Sequence, residues 1–493
     1  MLNVDDLICR FDTLGATGSA SASRTGRFGY DATEDKGRRK SPTPLLRSED
    51  DELPLYRRQQ VITLGRDIRR NFSIAAWAIR KHLDYVARFR FHAATGDAKI
   101  DKRLDELMEW RSKPWNFDSA RRHSRRKYVR LVEASRTVDG DILLVKQANG
   151  RLQAIEADRV RTPQSLGSGG SPLSAGILRK MKFGVVTDDS GASQAYAVNR
   201  RGPQYRVGPD LITAPNSFTF ERLVPARNCF HVGYFDRFDQ TRGISPVCAA
   251  LNDFRDIYEG IDLAKAQAKV AQLFALALKR NSVKALEAHN ESDGPSDYAA
   301  QIDFNRGPVL MELDPGDEAA FLHSNNPSAN WQAFMQLVIA AALKSLDIPF
   351  SFYDESHTNY SGSRGAWLMY DQSADDKRAD LREWLDQWAT WSFGLLIYQG
   401  VLELPSGFGP QRLKWDWIAR KVPWIDPLKE IQASRAEVDA GFNSTPGVAE
   451  SLGLDAYELA DQQAAYLKYR ESIGLPPPNT LPPVPVQYDP ADR

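Results

Sequence analysis

Two adjacent acids, Asp375-Asp376, and a thiol two residues from an imidazole, Cys229-Phe230-His231, are the places where this sequence could do chemistry. Paired carboxylates can hold a metal for phosphodiester cleavage. On a helix, however, neighbouring residues point about 100° apart, and Lys377 and Arg378 follow at once. The pair therefore reads as a solvated helix face. Cys229 and His231 would share one face of a strand, half of a metal site at best. No second ligand pair lies nearby in sequence, so a buried or interface histidine is the expected reading. The chain lacks G-x-x-x-x-G-K-[ST], H-E-x-x-H and G-x-S-x-G, the signatures of a phosphate cradle, a zinc protease and a nucleophile elbow. Gly167-Ser168-Gly169-Gly170 has no following lysine and reads as linker. No catalytic residue, cofactor site or metal site is expected.

Binding chemistry is better represented. Arg121, Arg122, Arg125, Arg126 and Lys127 form the densest positive run. It suits DNA phosphates or an acidic neighbouring subunit, and equally an exposed helix face with counterions. Trp384, Trp388 and Trp391 could stack bases, but their spacing on a helix favours core packing.

The elements that must position these groups follow from composition and period. The 493 residues favour two to four structural units. Lys+Arg and Asp+Glu both total 64, which argues against tight binding of duplex DNA along the whole surface. It leaves open a protein that DNA passes through. Three widely spaced cysteines without a CxxC pair point to a reducing compartment rather than a disulfide framework. Met1–Arg10 carries Asp5 and Asp6, so no secretory signal is expected. The apolar runs 273–278 and 337–343 are too short for a membrane span.

Residues 1–55 are rich in small and charged types and read as an arm that orders only on a neighbour. Helical periodicity runs from Tyr56 to Phe91, then over 100–110 and 119–135. Strands are expected at 141–146 and 152–155 around Asn149-Gly150, and at 183–186 and 194–199. Ser245-Pro246 opens a helix in which Val247, Leu251, Phe254, Tyr258 and Ile261 recur at steps of three and four. Short strands at 309–313 and 319–323 precede a helix from Asn326-Pro327 or Ser328 to Pro349. A very long helix spans about 363–399, with Gly394 as a possible bend. Arg412–Trp417 reads as a strand, 427–440 as a short helix, and the tail from Gly474 as extended.

Four blocks in order carry a family likeness. They are Asp139-Gly140-Asp141 with Asp158-Arg159-Val160 and Pro163; Pro225-Ala226 with His231 and Gln240-Thr241-Arg242-Gly243-Ile244-Ser245-Pro246; Leu313-Asp314-Pro315-Gly316-Asp317 with Asn326-Pro327; and Ile348-Pro349 with Asn359-Tyr360-Ser361 and Ser363-Arg364. Over about residues 56–400 the chain resembles the lambda-like portal proteins of tailed bacteriophages. Gly362 departs from a common small hydroxyl residue, and Phe350-Ser351-Phe352 is unusually aromatic.

The resemblance implies a helix-rich α+β portal-type fold. After an N-terminal arm (1–55) it would place the N-terminal part of an α/β wing at 56–244, stem helix 1 at 245–279 and a small α/β clip at 280–326. Stem helix 2 would be 327–346 and a channel loop 347–363. The long helix and the rest of the wing would be 364–445, with a crown and Pro-rich tail at 446–493. It implies a homo-oligomeric ring, usually of twelve, at a capsid vertex in the virion, assembled in the host bacterial cytoplasm. Double-stranded DNA would pass through the axis during packaging and ejection. Partners would be the terminase large subunit, a head-completion or adaptor protein, and the major capsid and scaffolding proteins, with no membrane. Asp354, Glu355, His357, Asn359 and Tyr360 would face DNA, and the stripe from Val247 to Ile261 would meet neighbouring stem helices. Twelve helices side by side leave a bore of roughly 24 Å, wide enough for a duplex. Two alternatives remain: another ring-forming virion component, such as a tail adaptor or baseplate, or a metal-dependent DNA-processing enzyme.

Overall fold

A computed structural model describes residues 48–163, 173–201, 218–273, 276–280, 317–321, 329–356, 360–419 and 427–475. Residues 1–47 of the expected arm, the Gly167–Pro172 loop, the strand at 309–313, most of the clip and the Pro-rich tail from 476 lie outside the described residues. Those described belong to one compact unit, Ser48–Arg493.

Ser48 caps α1 (Glu49–Glu52) by accepting from the Asp51 amide. The helical run expected from Tyr56 to Phe91 is broken. It forms α2 (Leu55–Asn71) and α3 (Ser73–Val86), parted by Phe72 in an extended conformation. Phe72 is buried there, its ring edge-on to Phe254 at 6.2 Å and Tyr258 at 5.7 Å. The end of the run is strand β1 (Phe89–Ala93), where Phe91 and Ala93 are buried while Arg90 is exposed. A period of two over so few residues is masked by the longer helical pattern before it.

Asp97 caps α4 (Ala98–Ser112) through the amides of Lys99 and Ile100. The short α5 (Pro114–Phe117) follows. A helix expected over 119–135 starts later, as α6 (Arg125–Asp139). Asp118 explains the delay: its carboxylate accepts from the amides of Ala120, Arg122 and His123, fixing a loop instead of a first turn. Gly140, at φ +97°, ends α6.

Strands β2 (Asp141–Lys146) and β3 (Leu152–Glu156) form the expected hairpin, and Gly150 takes a positive φ in the turn. Then come α7 (Ala175–Arg179), β4 (Met181–Lys182), β5 (Val185–Thr187), β6 (Ser193–Arg201), β7 (Phe218–Pro225) and β8 (Cys229–Gly233). One sheet has the order β3-β2-β8, the other β4-β5-β6-β7, all antiparallel. A small core of Leu143, Val145, Ile155, Val185, Tyr196 and Val198 draws residues from both.

Helix α8 (Leu251–Leu273) follows a 3-10 turn, Pro246–Ala250, capped by the Ser245 hydroxyl. Stem helix 1, expected over 245–279, is shorter: residues 276–280 form strand β9 (Leu276–Arg280), paired antiparallel with β10 (Asp317–Phe321). They lead to α9 (Ala329–Leu343), which returns against α8, so a Cβ on Gly260 would lie 3.5 Å from Met335 Sδ. Helix α10 (Tyr360–Tyr398) runs 39 residues through Gly394 without a break, roughly 58 Å at 1.5 Å per residue. Strand β11 (Trp415–Ala419) pairs with β1. Helices α11 (Pro427–Asp439), α12 (Thr445–Ser451) and α13 (Ala456–Ser472) complete the described chain. The main core joins α3, α4, α6, α8, α9 and α10. Trp384 and Trp388 are buried in it, packed rather than presented to solvent.

Candidate functional site

Asp141, at the start of β2, is almost fully buried and gathers cations from distant parts of the chain. Arg242 donates to it through Nε at 2.7 Å and Nη2 at 2.8 Å. Arg58 of α2 donates at 3.2 Å, the Gly243 amide at 2.9 Å, and His231 Nε2 lies at 3.2 Å. Burial alone would raise the Asp141 carboxyl, but Arg242 and Arg58 hold it well below the usual carboxylate range. Burial, with the Arg242 charge beside it, lowers Arg58 to about 10. Arg242 also donates to the carbonyls of Ala157, Val160 and Phe183. Gly140 and Gly243 pass backbone to backbone, with no room for a Cβ on either. This buried clasp ties α2, both sheets and the lead into α8 together.

A second buried network sits between α3, α6 and α10. Glu133 Oε1 accepts from His82 Nε2 at 2.7 Å and from the Tyr234 hydroxyl at 2.8 Å. Arg136 donates to Glu133 at 2.8 Å and to Asp380 of α10 at 3.0 Å. Burial pushes Glu133 up, yet Arg136, His82 and Tyr234 outweigh it and bring the carboxyl down to about 2. Burial holds His82 below its ordinary value, so the ring is neutral and donates. Neither Arg58 nor this quartet stood out in the sequence. Their signal is a charged or polar residue on an otherwise apolar helix face: His82 among Ile79, Leu83 and Val86, and Glu133 among Val129, Val132 and Ala134.

The segment expected to form a channel loop is anchored at its base. Asp347 has a left-handed backbone, and its carboxylate accepts from Lys377 Nζ at 2.7 Å and Ser373 Oγ at 2.6 Å. Burial would raise this carboxyl; the Lys377 and Ser373 bonds lower it instead. Phe350–Phe352 form a 3-10 turn. Phe352 packs on Trp367 at 5.0 Å, Tyr370 at 5.3 Å and Tyr85 at 5.9 Å, while Tyr353 meets Trp77 edge-on at 5.9 Å. The unusual aromatics are thus the fastening of the loop to α3 and α10. Glu355 is exposed and Asp354 half-buried. His357 and Asn359 lie outside the described residues, and only the backbone of Tyr360 is described.

The stripe expected to meet neighbouring stem helices is spent largely inside the chain. Val247, Leu251 and Phe254 are buried in the main core, and Ile261 packs against it. Tyr258 is 51% exposed. Other faces carry the exposed apolar groups: Leu263 on α8, and Phe334 and Leu337 on α9.

The expected basic patch also divides. Arg121, Arg122, Arg126 and Lys127 are exposed, but Arg125 turns inward. Its Nε donates to Ser112 Oγ at 2.8 Å and its guanidinium lies 4.9 Å from the Trp417 ring. Burial lowers it to about 10. Cys229 and His231 do not form a pair: the thiol donates to the Pro225 carbonyl while the imidazole serves Asp141. Burial pushes the Cys229 thiol up to about 12. Asp375 lies 3.6 Å from Arg378 and 3.5 Å from Arg382, on an exposed face as expected. Among the described residues no cluster of three or more His, Cys, Asp or Glu could hold a metal, and no helix is long and apolar enough to cross a membrane.

A family model described as phage portal protein, lambda family, matches residues 36–378. The chain belongs to that family. The probable portal protein of Halomonas phage phiHAP-1 is 21% identical over 420 residues, covering 79% of this chain and 75% of its own length. Portal protein B of Escherichia phage lambda is 22% identical over 341 residues, and the portal protein of Escherichia phage N15 is 21% identical over 340. The chain spans 62% of the length of each of these two. A chain from the neck of a native gene transfer agent particle, computed with C12 symmetry, is 12% identical at a TM-score of 0.44, covering 84% of this chain and 94% of that one.

In this portal-family chain, the first two blocks of the resemblance meet at the Asp141 clasp. Asp139, Gly140, Asp141, Val160, His231, Arg242 and Gly243 all take part in it or touch it. Asp139 accepts from Arg66 of α2 at 2.8 and 2.6 Å, and Arg66 reaches on to Asp158 at 3.0 Å. Most of the third block lies outside the described residues. In the fourth, Arg364 of α10 donates to Glu430 of α11 at 2.8 Å.

Proposed function

We propose that copies of this chain close into a ring, twelve in number, at one vertex of a phage capsid, and that double-stranded DNA passes through its axis. In this reading α8 and α9 are the stem, β9 and β10 open the clip, residues 347–363 are the channel loop, α10 joins channel to wing, and residues 446–493 form the crown. The ring does no bond chemistry. A separate terminase hydrolyses ATP and docks through the clip, and head-completion proteins replace it once the capsid is full. Asp354 and Glu355 repel phosphate, which keeps DNA from sticking; a strong phosphate contact would have to break at each step of movement.

The observation that carries this reading is apolar exposure on the helix pair. Tyr258 and Leu263 of α8 and Phe334 and Leu337 of α9 are each more than half exposed, on helices that bury other faces in the core. Large apolar groups left exposed on neighbouring helices mark an interaction surface. Repeated around an axis, they give helix-to-helix packing at about 9 Å. Electron micrographs of the purified full-length protein test it. Rings with an axial hole of roughly 24 Å are expected. A monomer that persists at high micromolar concentration would overturn it.

A further inference from the structure

Residues 110–130 contain eight Lys or Arg and a single carboxylate, Asp118, in a chain of zero net charge. Asp118 is buried and spent on backbone amides, so it neutralises nothing at the surface. Lys113 and Arg130 have counterions in Glu109 and Asp84. Arg121, Arg122, Arg126 and Lys127 stay exposed at the start of α6. Just beneath the surface, Arg111 is 3% exposed, and its Nε and Nη2 find no hydrogen-bond partner among the described residues. Beside these cations stand Trp110, 46% exposed, and Trp115, 55% exposed. The Asn116 side chain bonds the Trp110 carbonyl and Arg125 bonds Ser112, which ties the segment that carries the tryptophans to the start of α6. Tryptophan with arginine is the composition of a protein-binding hot spot. Duplex DNA would use the cations and leave both indoles without a role.

The complementary surface is on the same chain. Glu49–Glu52 is four acids in a row, followed by Leu53, Pro54, Leu55 and Tyr56. Asp50 is taken up by Thr241, but Asp51 and Glu52 are exposed and Tyr56 is 69% exposed. The two surfaces cannot meet within one copy. Arg66 of α2 pairs with Asp139 at the C-terminal end of α6, and the acidic segment lies beyond that end, near Thr241 and Arg237. The cations lie at the N-terminal end, the full α6 length of roughly 20 Å away. We infer that the Trp110/Trp115 surface with Arg121, Arg122, Arg126 and Lys127 receives the Glu49–Tyr56 segment of a second copy. The contact is head-to-tail, and such contacts close into rings when the rotation permits. This inference rests on the ring reading and assigns part of its subunit interface.

Charge reversal in the full chain tests it. Arg121→Glu with Arg122→Glu and Arg126→Glu, or Asp51→Lys with Glu52→Lys, should each reduce ring yield about ten-fold at low salt. All five changes together should restore it to within about two-fold. Ring yield is read by native mass spectrometry, with circular dichroism confirming that each variant folds. If both reversals assemble like wild type, or the combination does no better than either alone, the pairing is wrong although rings still form. If wild type forms no rings, the ring reading fails, and this contact with it. An oxidative cross-link between Lys127→Cys and Glu52→Cys gives an independent readout. A ladder of dimers and higher species is expected, and its absence in assembled rings would overturn the assignment.

Discussion

Asp141→Asn keeps the shape of the clasp and removes the negative charge that Arg242 and Arg58 share. Breaking a buried ion pair by removing one partner costs about 3–5 kcal/mol, because the remaining charge stays buried. A lower urea midpoint is therefore expected; an unchanged midpoint would mean that solvent reaches the clasp. The second network makes stability depend on pH with a definite sign. Glu133 is held at about 2, below its ordinary 4.5, so its contribution is full above 4.5 and is lost as pH falls towards 2. His82 is held below its ordinary 6.5, so the unfolded chain takes up the proton first, and stability already falls as pH drops below about 6.5. Thermal melts of the full protein should thus decline from about pH 6.5 downward. His82→Gln should flatten the limb between pH 5 and 6.5 while leaving the steeper loss below 4.5. An unaltered upper limb would assign that titration elsewhere.

Among the elements, the base of the proposed channel loop depends on two fastenings. One is the Asp347–Lys377–Ser373 set; the other is the ring cluster around Phe352. Phe352→Ala removes a half-buried ring from that cluster and should cost about 2 kcal/mol locally. The expected readout is faster proteolytic cleavage within 347–363 with the global melting temperature barely changed. Equal cleavage of wild type and variant would show that the aromatics do not hold the loop. Much of this level was legible in the sequence. The Asn149-Gly150 hairpin, the Ser245 cap and the long α10 each carry a local signal, and α10 kept its register through Gly394. The misses share a cause. Phe72 interrupts a helix because of what it packs against, and Asp118 delays α6 by bonding amides ahead of it. The clasp joins residues as far apart in sequence as Arg58 and Arg242. Periodicity reports which face is apolar; it is silent on which neighbour covers that face, and Val247, Leu251 and Phe254, expected at a subunit interface, are buried by the chain's own core.

At the scale of the assembled molecule, the proposed ring and the proposed passage of DNA can be tested separately. Phe334→Ser with Leu337→Ser strips apolar area from the outer face of α9, side chains 60% and 67% exposed in a single copy. Folding should be nearly unaffected, because exposed positions contribute within about 0.5 kcal/mol. Assembly should fail, and sedimentation would show monomers; intact rings would move the subunit contact away from the stem. The loop acts differently. Asp354 and Glu355 precede α10, with Glu355 exposed and Asp354 half-buried, neither covered by the core. Reversing both to Lys should leave the ring intact, since the aromatic base below them is untouched. It would line the bore with cations where a polyanion must slide, and every counterion released by a phosphate contact makes the next step costlier. Packaging in extracts should slow roughly three- to ten-fold and recover as salt is raised, since phosphate contacts weaken steeply with ionic strength. Slowing without salt rescue would point to a distorted loop. Wild-type kinetics at low salt would remove residues 354–355 from the DNA path altogether.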